Sequence, residues 1–274
     1  MKKNAAKIME ELMESGLYPE KSNMENKEDL IKKGIHKQLK NSEEKRHEFG
    51  SQGIVAKFVP KKITDVDYQG LKEYLYDIGL LIPLMKIDDR LLKKDLFNKE
   101  IFNEFKTGED FYVRPNFNKL GKELNKPSLF DVSKWELEEM IDEFRRASTK
   151  TKEIKETYKN HMMMMAKCPV LEKDNKIKHK YGSVSRISSG CTYDLEGIHD
   201  EIGAELLIKY GKVNTNKLQE FIYKGTLSQK DVDQFRTIVD VRLDFMVMSL
   251  DTERRMIEQY QRERTKASQA RLRA

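Results

Sequence analysis

Apolar residues recur at helical spacing along most of the chain. Ala5, Ile8, Met9, Leu12 and Met13 share one face of a helix over residues 4–15, and Gly16 stops it. Residues 20–48 are almost all polar, with seven acidic and eight basic side chains; Met24, Ile31, Ile35 and Leu39 form only a thin stripe. The first 48 residues therefore read as a helical arm. Ile54, Val55, Phe58 and Val59 change the pattern to a short strand. Val66, Leu71, Leu75 and Ile78 line a helix that Asp65 caps and Gly79 ends. Residues 80–87 form an apolar run broken by Pro83, and 91–105 return to the helical period. Phe111, Tyr112 and Val113 are a second strand candidate, and residues 116–125 a short helix. A long charged helix starts at Asp131 or Ser133 and runs past Trp135, Phe144 and Tyr158 to Met165. Residues 177–187 are strand-like, with Gly182 suited to a hairpin turn.

The C-terminal third predicts three helices. Residues 198–210 form one that stops at Gly211, and a second runs to Tyr223, before Gly225. From Ser228 a stripe of Val232, Phe235, Val239, Leu243, Met246, Leu250, Ile257 and Tyr260 continues without Gly or Pro. If that helix reaches about residue 267 it is about 58 Å long. A globule of this size has a radius of gyration of only about 19 Å. Such a helix must project, bridge two lobes or pair with another. The expected fold is thus mainly α with a few short strands near 54–59, 80–87, 111–113 and 177–187, and one long C-terminal helix. Three segments follow: the arm 1–48, a mixed middle 49–190 and a helical region 191–274. No internal repeat stands out.

Composition fits that picture. Of 274 residues, 36% are charged and 38% hydrophobic, and mean hydropathy is −0.74; globular domains average about 25% charged. No apolar stretch approaches the about 20 residues of a membrane span. Met1–Glu10 lacks the apolar run of a secretory signal. Two cysteines make no disulfide framework, which points to the cytoplasm.

Charge is unevenly placed. Residues 150–190 hold ten basic side chains against four acidic ones, a surplus equal to the +6 of the whole chain. Such a block attracts phosphates. Lys173, Lys176, Lys178, Lys180 and Arg186 are its candidate contacts, with Tyr181 and His179 placed to stack on a base. The order helix, Gly225, capped helix over 218–235 also suits a helix-turn-helix, whose reading residues would be Gln229, Lys230, Gln234 and Arg236. An ordinary helical corner has the same pattern.

Two further constellations bear on chemistry. Cys168, His179, Cys191 and His199 are metal-ligand types, but they lack the short paired spacing of zinc sites, so no metal is assigned. Phe49-Gly50-Ser51 followed by Asp65-Val66-Asp67-Tyr68 resembles the signature of nucleotidyltransferases. That resemblance implies a Gly-Ser loop on the nucleotide phosphates, Asp65 and Asp67 on Mg²⁺ and Asp88 as a third carboxylate. It covers only residues 49–68. The polar residues 43–48 stand where that family has a hydrophobic strand, and Asp65 reads as a helix cap. Met162–Met165 supply adaptable apolar surface for a core or a partner. The function expected is a non-enzymatic nucleic-acid-binding protein without cofactor, a regulator or a replication or packaging accessory. The alternative is a self-associating or partner-binding helical assembly or inhibitory protein. An Mg²⁺-dependent transferase is a third reading.

Overall fold

A computed structural model describes residues 4–273 of this chain. Met1–Lys3, part of the segment read for a leader, lie outside the described residues. In chain order, α1 (Ala5–Glu14) and α2 (Leu17–Leu39) precede β1 (Arg46–Phe49) and β2 (Ile54–Val66). Then come α3 (Tyr68–Asp77), α4 (Leu81–Leu84), β3 (Met85–Ile87), α5 (Asp89–Leu92), α6 (Leu96–Glu104) and β4 (Lys106–Phe117). Next are α7 (Lys119–Leu124), α8 (Leu137–Ala166), α9 (Pro169–Asp174), β5 (Lys176–His179) and β6 (Gly182–Tyr193). The chain closes with α10 (Leu195–Glu201), α11 (Ala204–Tyr210), β7 (Gly211–Val213), α12 (Thr215–Tyr223), α13 (Gln229–Asp233), β8 (Arg236–Ser249) and α14 (Leu250–Arg273). No helix among the described residues is long and apolar enough to cross a membrane.

The expected fold class is corrected. The chain is 56% helical and 25% strand, with three antiparallel sheets, an α+β fold. The strand orders are β1-β2-β8, β3-β7 and β4-β6-β5. The largest departure is β8: residues 236–249, expected within one helix from Ser228 to about 267, are extended. Their alternation of Val239, Val241, Leu243, Phe245 and Val247 satisfies a period of two as well as the helical stripe, and their β-branched side chains favour the strand. Helix is left only in α13 and α14.

Two compact units result, and the chain passes between them inside β2, β4, β6, β8 and α14. Unit 1 comprises residues 1–59, 111–188 and 245–253. The segment expected as an arm is part of its core. Ala5, Ile8, Met9, Leu12 and Met13 pack with Val113, Met165, Cys168, Leu171 and Val184. Ile31 and Ile35 of α2, both fully buried, pack on Met140, Ile141 and Phe144 of α8. Gly34 permits that approach, because a Cβ there would come within 2.7 Å of the Met140 sulfur. A reciprocal capping box, Glu136 with Glu139, starts α8.

Unit 2 comprises residues 60–110, 189–244 and 254–274. It contains an internal repeat that the sequence did not reveal. A strand enters, a capped helix follows, a glycine turns the chain, a second helix leads to a three-residue strand, and two more helices lead to a strand that leaves. The run β2-α3-α4-β3-α5-α6-β4 has this order, and β6-α10-α11-β7-α12-α13-β8 has it again. The details coincide. Asp67 caps α3 by accepting from the Gly70 N–H at 2.9 Å; Asp194 caps α10 by accepting from the Gly197 N–H at 3.1 Å. Gly79 and Gly203 both turn at positive φ, 70° and 102°.

The two copies also interlock reciprocally. The Asp67 N–H donates to the Phe235 carbonyl at 2.9 Å, and the Asp194 N–H to the Phe105 carbonyl at 2.8 Å. The Asp88 N–H donates to the Tyr210 carbonyl at 2.8 Å, and the Asn214 N–H to the Leu84 carbonyl at 2.7 Å. Strands β3 and β7 pair antiparallel, Met85 with Val213, Lys86 with Lys212 and Ile87 with Gly211. Every one of these contacts maps onto its counterpart by a pseudo-two-fold axis through the Lys86–Lys212 pair. Leu71, Leu75, Leu92 and Phe102 from one copy and Ile198, Leu218 and Val232 from the other bury a common core.

Candidate nucleic-acid interface

All ten basic side chains of the block of residues 150–190 lie in unit 1, on α8, α9, β5, the turns beside them and the first part of β6. Its charge is partly neutralised there. Lys150 pairs with Glu20, Lys155 with Glu25 at 3.2 Å and Lys180 with Glu14 at 3.2 Å, so α1 and α2 supply the counter-charges. The Arg186 guanidinium lies 3.3 Å from the centre of the Phe111 ring and is half-buried. Lys152, Lys159, Lys167, Lys173, Lys176 and Lys178 are exposed. None of these six has a carboxylate partner among the described residues.

The hairpin that carries the centre of this block is firmly built. Asn175 ends α9 in the left-handed region at φ 55°, and its carbonyl accepts from the Arg186 N–H at 2.8 Å. Gly182 turns the chain where a Cβ would meet the Asn116 carbonyl, so backbone fills that space. Lys176 lies opposite Ser185 and Lys178 opposite Ser183, which puts both lysines on one face of the edge strand β5. Lys173 sits in the last turn of α9, where the helix dipole favours a cation. Lysines on an edge strand also discourage pairing with another chain.

The two stacking candidates are placed inward. Tyr181 is 5% exposed and its hydroxyl donates to Glu14 at 3.1 Å, so its ring offers no face to a base. His179 is half-buried; burial pushes its imidazole below the ordinary value, leaving it neutral at pH 7, and its Nδ1 accepts from the Tyr181 N–H at 3.2 Å.

The helical corner of unit 2 keeps the expected order, α12, Gly225 and a second helix capped by Ser228. The second helix, however, has only five residues, about 8 Å of axis. Asp233 engages two of the proposed readers, accepting from Gln229 at 2.7 Å and pairing with Arg236 at 3.5 Å. Lys230 and Gln234 are exposed.

The other constellations are spent on local structure. Asp65 lies on β2 and accepts from the Val66 N–H; Asp67, not Asp65, caps α3, and Asp88 caps α5. Cys168 and His179 belong to unit 1, Cys191 and His199 to unit 2. Among the described residues no group of three or more His, Cys, Asp or Glu side chains could hold a metal ion. Met165 of the methionine run is buried, while Met163 and Met164 are about half exposed. One basic feature went unnoticed in the sequence: the exposed cross-strand pair Lys86–Lys212. Its signal was two short buried–exposed–buried triplets, Met85-Lys86-Ile87 and Gly211-Lys212-Val213.

Comparison of the chain with protein-family models, with curated proteins and with solved structures finds no match.

Proposed function

We propose that this chain is a non-enzymatic nucleic-acid-binding protein, acting in a reducing cytosol where Cys168 and Cys191 stay free thiols. The observation that carries the reading is the set of six exposed lysines of unit 1 without carboxylate partners, centred on Lys173, Lys176 and Lys178 of the α9–β5 segment. Three acids of α1 and α2, Glu14, Glu20 and Glu25, pair with Lys180, Lys150 and Lys155, and within the block the exposed lysines outnumber the four exposed acids Glu153, Glu156, Glu172 and Asp174. The remaining lysines are available to phosphates, each releasing counterions on contact. The arrangement favours backbone contact over base reading, since Tyr181 is buried and Asp233 holds Gln229 and Arg236.

The test is fluorescence anisotropy with labelled duplex DNA and single-stranded RNA over a salt series. Binding should weaken linearly in log–log form, and K173Q/K176Q/K178Q should reduce the slope by about 0.9 for each phosphate that is no longer neutralised. An unchanged slope in that variant removes the α9–β5 lysines from the interface. No binding even at about 50 mM salt removes the function.

A second reading has its own observation. Val239, Val241 and Leu243 project from one face of β8 and are 54–58% exposed, while Met256, Ile257 and Tyr260 of α14 are 49–61% exposed. Exposed apolar rows of this kind mark protein-binding surface, which supports self-association or a protein partner.

A further inference from the structure

Within unit 2 the pseudo-two-fold axis passes between two lysines. Lys86 and Lys212 are direct cross-strand partners on β3 and β7. Their neighbours Met85, Ile87, Gly211 and Val213 are buried, so both lysines stand on the outer face of the ribbon, exposed. Neither has a carboxylate partner among the described residues. Like charges directly opposite in an antiparallel pair repel, and among the described residues neither lysine forms an ion pair that would offset this.

An exposed basic residue follows each lysine, at positions that are not counterparts under the two-fold. Arg90 follows Lys86 in the first turn of α5, and Lys217 follows Lys212 in the first turn of α12; both are exposed. The two carboxylates that follow β3 are engaged with the protein. Asp88 accepts from the Arg90 N–H at 2.9 Å. Asp89 accepts from the Cys191 N–H at 2.8 Å and from the Tyr193 hydroxyl at 2.9 Å. The corresponding position on the other side is uncharged: Asn214, which caps α12.

We infer that the outer face of the β3–β7 ribbon binds the backbone of duplex DNA, with the dyad of the duplex on the axis between Lys86 and Lys212. Two-fold protein surfaces meet duplexes with their dyads aligned. Directly opposed residues have Cβ atoms about 5 Å apart, and the minor groove is about 6 Å wide. Each lysine therefore reaches one of the two strands that border the groove, and each makes the same contact. A lysine serves here as a point charge toward phosphate, without the planar geometry that arginine would impose. A single strand has no dyad and gains nothing from the pairing. This inference rests on the nucleic-acid reading above and adds to it a second site, in the other unit, with a preference for duplex.

The experiment compares a 20-base-pair duplex (about two helical turns) with a single strand of equal length. The proteins are the full chain and its K86Q, K212Q, K86Q/K212Q and K173Q/K176Q/K178Q variants. K86Q and K212Q should each lower the duplex salt slope by about 0.9, and the double variant by about 1.8, with single-strand binding unchanged. Acetylation of the unaltered protein gives a second readout that does not depend on variant folding. Bound duplex should protect Lys86 and Lys212 to the same extent. An effect from only one of the lysines, equal losses on single strand, or no protection overturns the inference. If K173Q/K176Q/K178Q weakens duplex binding while K86Q/K212Q does not, the dyad site fails and the proposed function stands. If the full chain binds neither probe at low salt, both fail.

Discussion

Glu253 offers the sharpest test of how unit 1 holds together. It lies in the first turn of α14, is 6% exposed, and meets two cations. Its carboxylate accepts from Arg46 on β1 at 2.8 Å and from Lys57 on β2 at 2.6 Å. The ion pair thus fixes the helix start to the first two strands. Replacing the carboxylate in E253Q removes the charge but keeps the shape. Breaking a fully buried pair costs about 3–5 kcal/mol; an exposed pair is worth about 0.2–1 kcal/mol. The Arg46 side chain is 46% exposed and that of Lys57 21%, so water screens both partners and the cost lies between these limits, at about 2 kcal/mol. At about 2–4 °C per kcal/mol for a chain of this class, the melting temperature should fall by about 4–8 °C. The pH dependence gives the sign. The Arg46 and Lys57 contacts hold the Glu253 carboxyl below its ordinary value. Its stabilisation is therefore present above the ordinary glutamate value of about 4.3 and is lost as the pH falls through the folded value. Melting curves by circular dichroism should show a gap between the native chain and E253Q that is full at pH 7 and narrows toward pH 3. Equal melting at pH 7, or a gap that persists unchanged in acid, would refute the reasoning.

Two more outcomes follow from unit 2. A Cβ at Gly70 would sit 3.2 Å from Phe235 Cδ1 and against the Asp67 carboxylate, and one at Gly197 3.1 Å from Phe105 Cδ1 and against Asp194. G70A and G197A should therefore cost about the same, about 1–3 kcal/mol each by chemical denaturation; a large cost at one site and none at the other would contradict the two-fold correspondence. For the protein-partner reading, V241S/L243S should shift any oligomer seen by light scattering toward monomer without lowering nucleic-acid affinity, and an unchanged mass distribution would discard β8 as a self-association surface.

Much of the local structure was legible because it depends on nearby residues. Gly16, Gly79 and Gly225 turn the chain at positive φ where helices were expected to stop. Ser228 caps the helix that follows Gly225, as the order over 218–235 suggested. Each expected strand segment contains a strand, but β2, β4 and β6 run longer than expected and β8 was missed, for a physical reason. β8 satisfies both periods, and what decides between them is pairing with β2, whose residues lie far away in sequence. β4 and β6 are each 12 residues long, whereas only their most apolar parts stood out as strand. The basic block shows the same limit. Its lysines were visible as a run, but the acids that neutralise three of them, Glu14, Glu20 and Glu25, sit on the first two helices. Burial of Tyr181 likewise depends on α1, through Glu14.

The repeat in unit 2 escaped notice because its two copies share few identical residues. What recurs is what the geometry needs: an aspartate cap with glycine three residues on, a turning glycine, and an aromatic–basic–threonine exit in Phe105-Lys106-Thr107 and Phe235-Arg236-Thr237. The core positions match only in being apolar. The reciprocal hydrogen bonds explain why those few features are tied to the architecture. Each copy's entering strand ends on the other copy's phenylalanine carbonyl, and each phenylalanine ring lies against the other copy's capping glycine. Neither copy completes its own end, so the repeat works only as an interlocked pair. That interlock also fixes the axis: the short strands β3 and β7 must meet antiparallel at their midpoints, and the residues at those midpoints face each other whatever they are. An uncharged residue there would avoid the repulsion. Lysine at both midpoints accepts it, and the contact that turns this repulsion to use is a ligand carrying negative charge on both sides of the same axis.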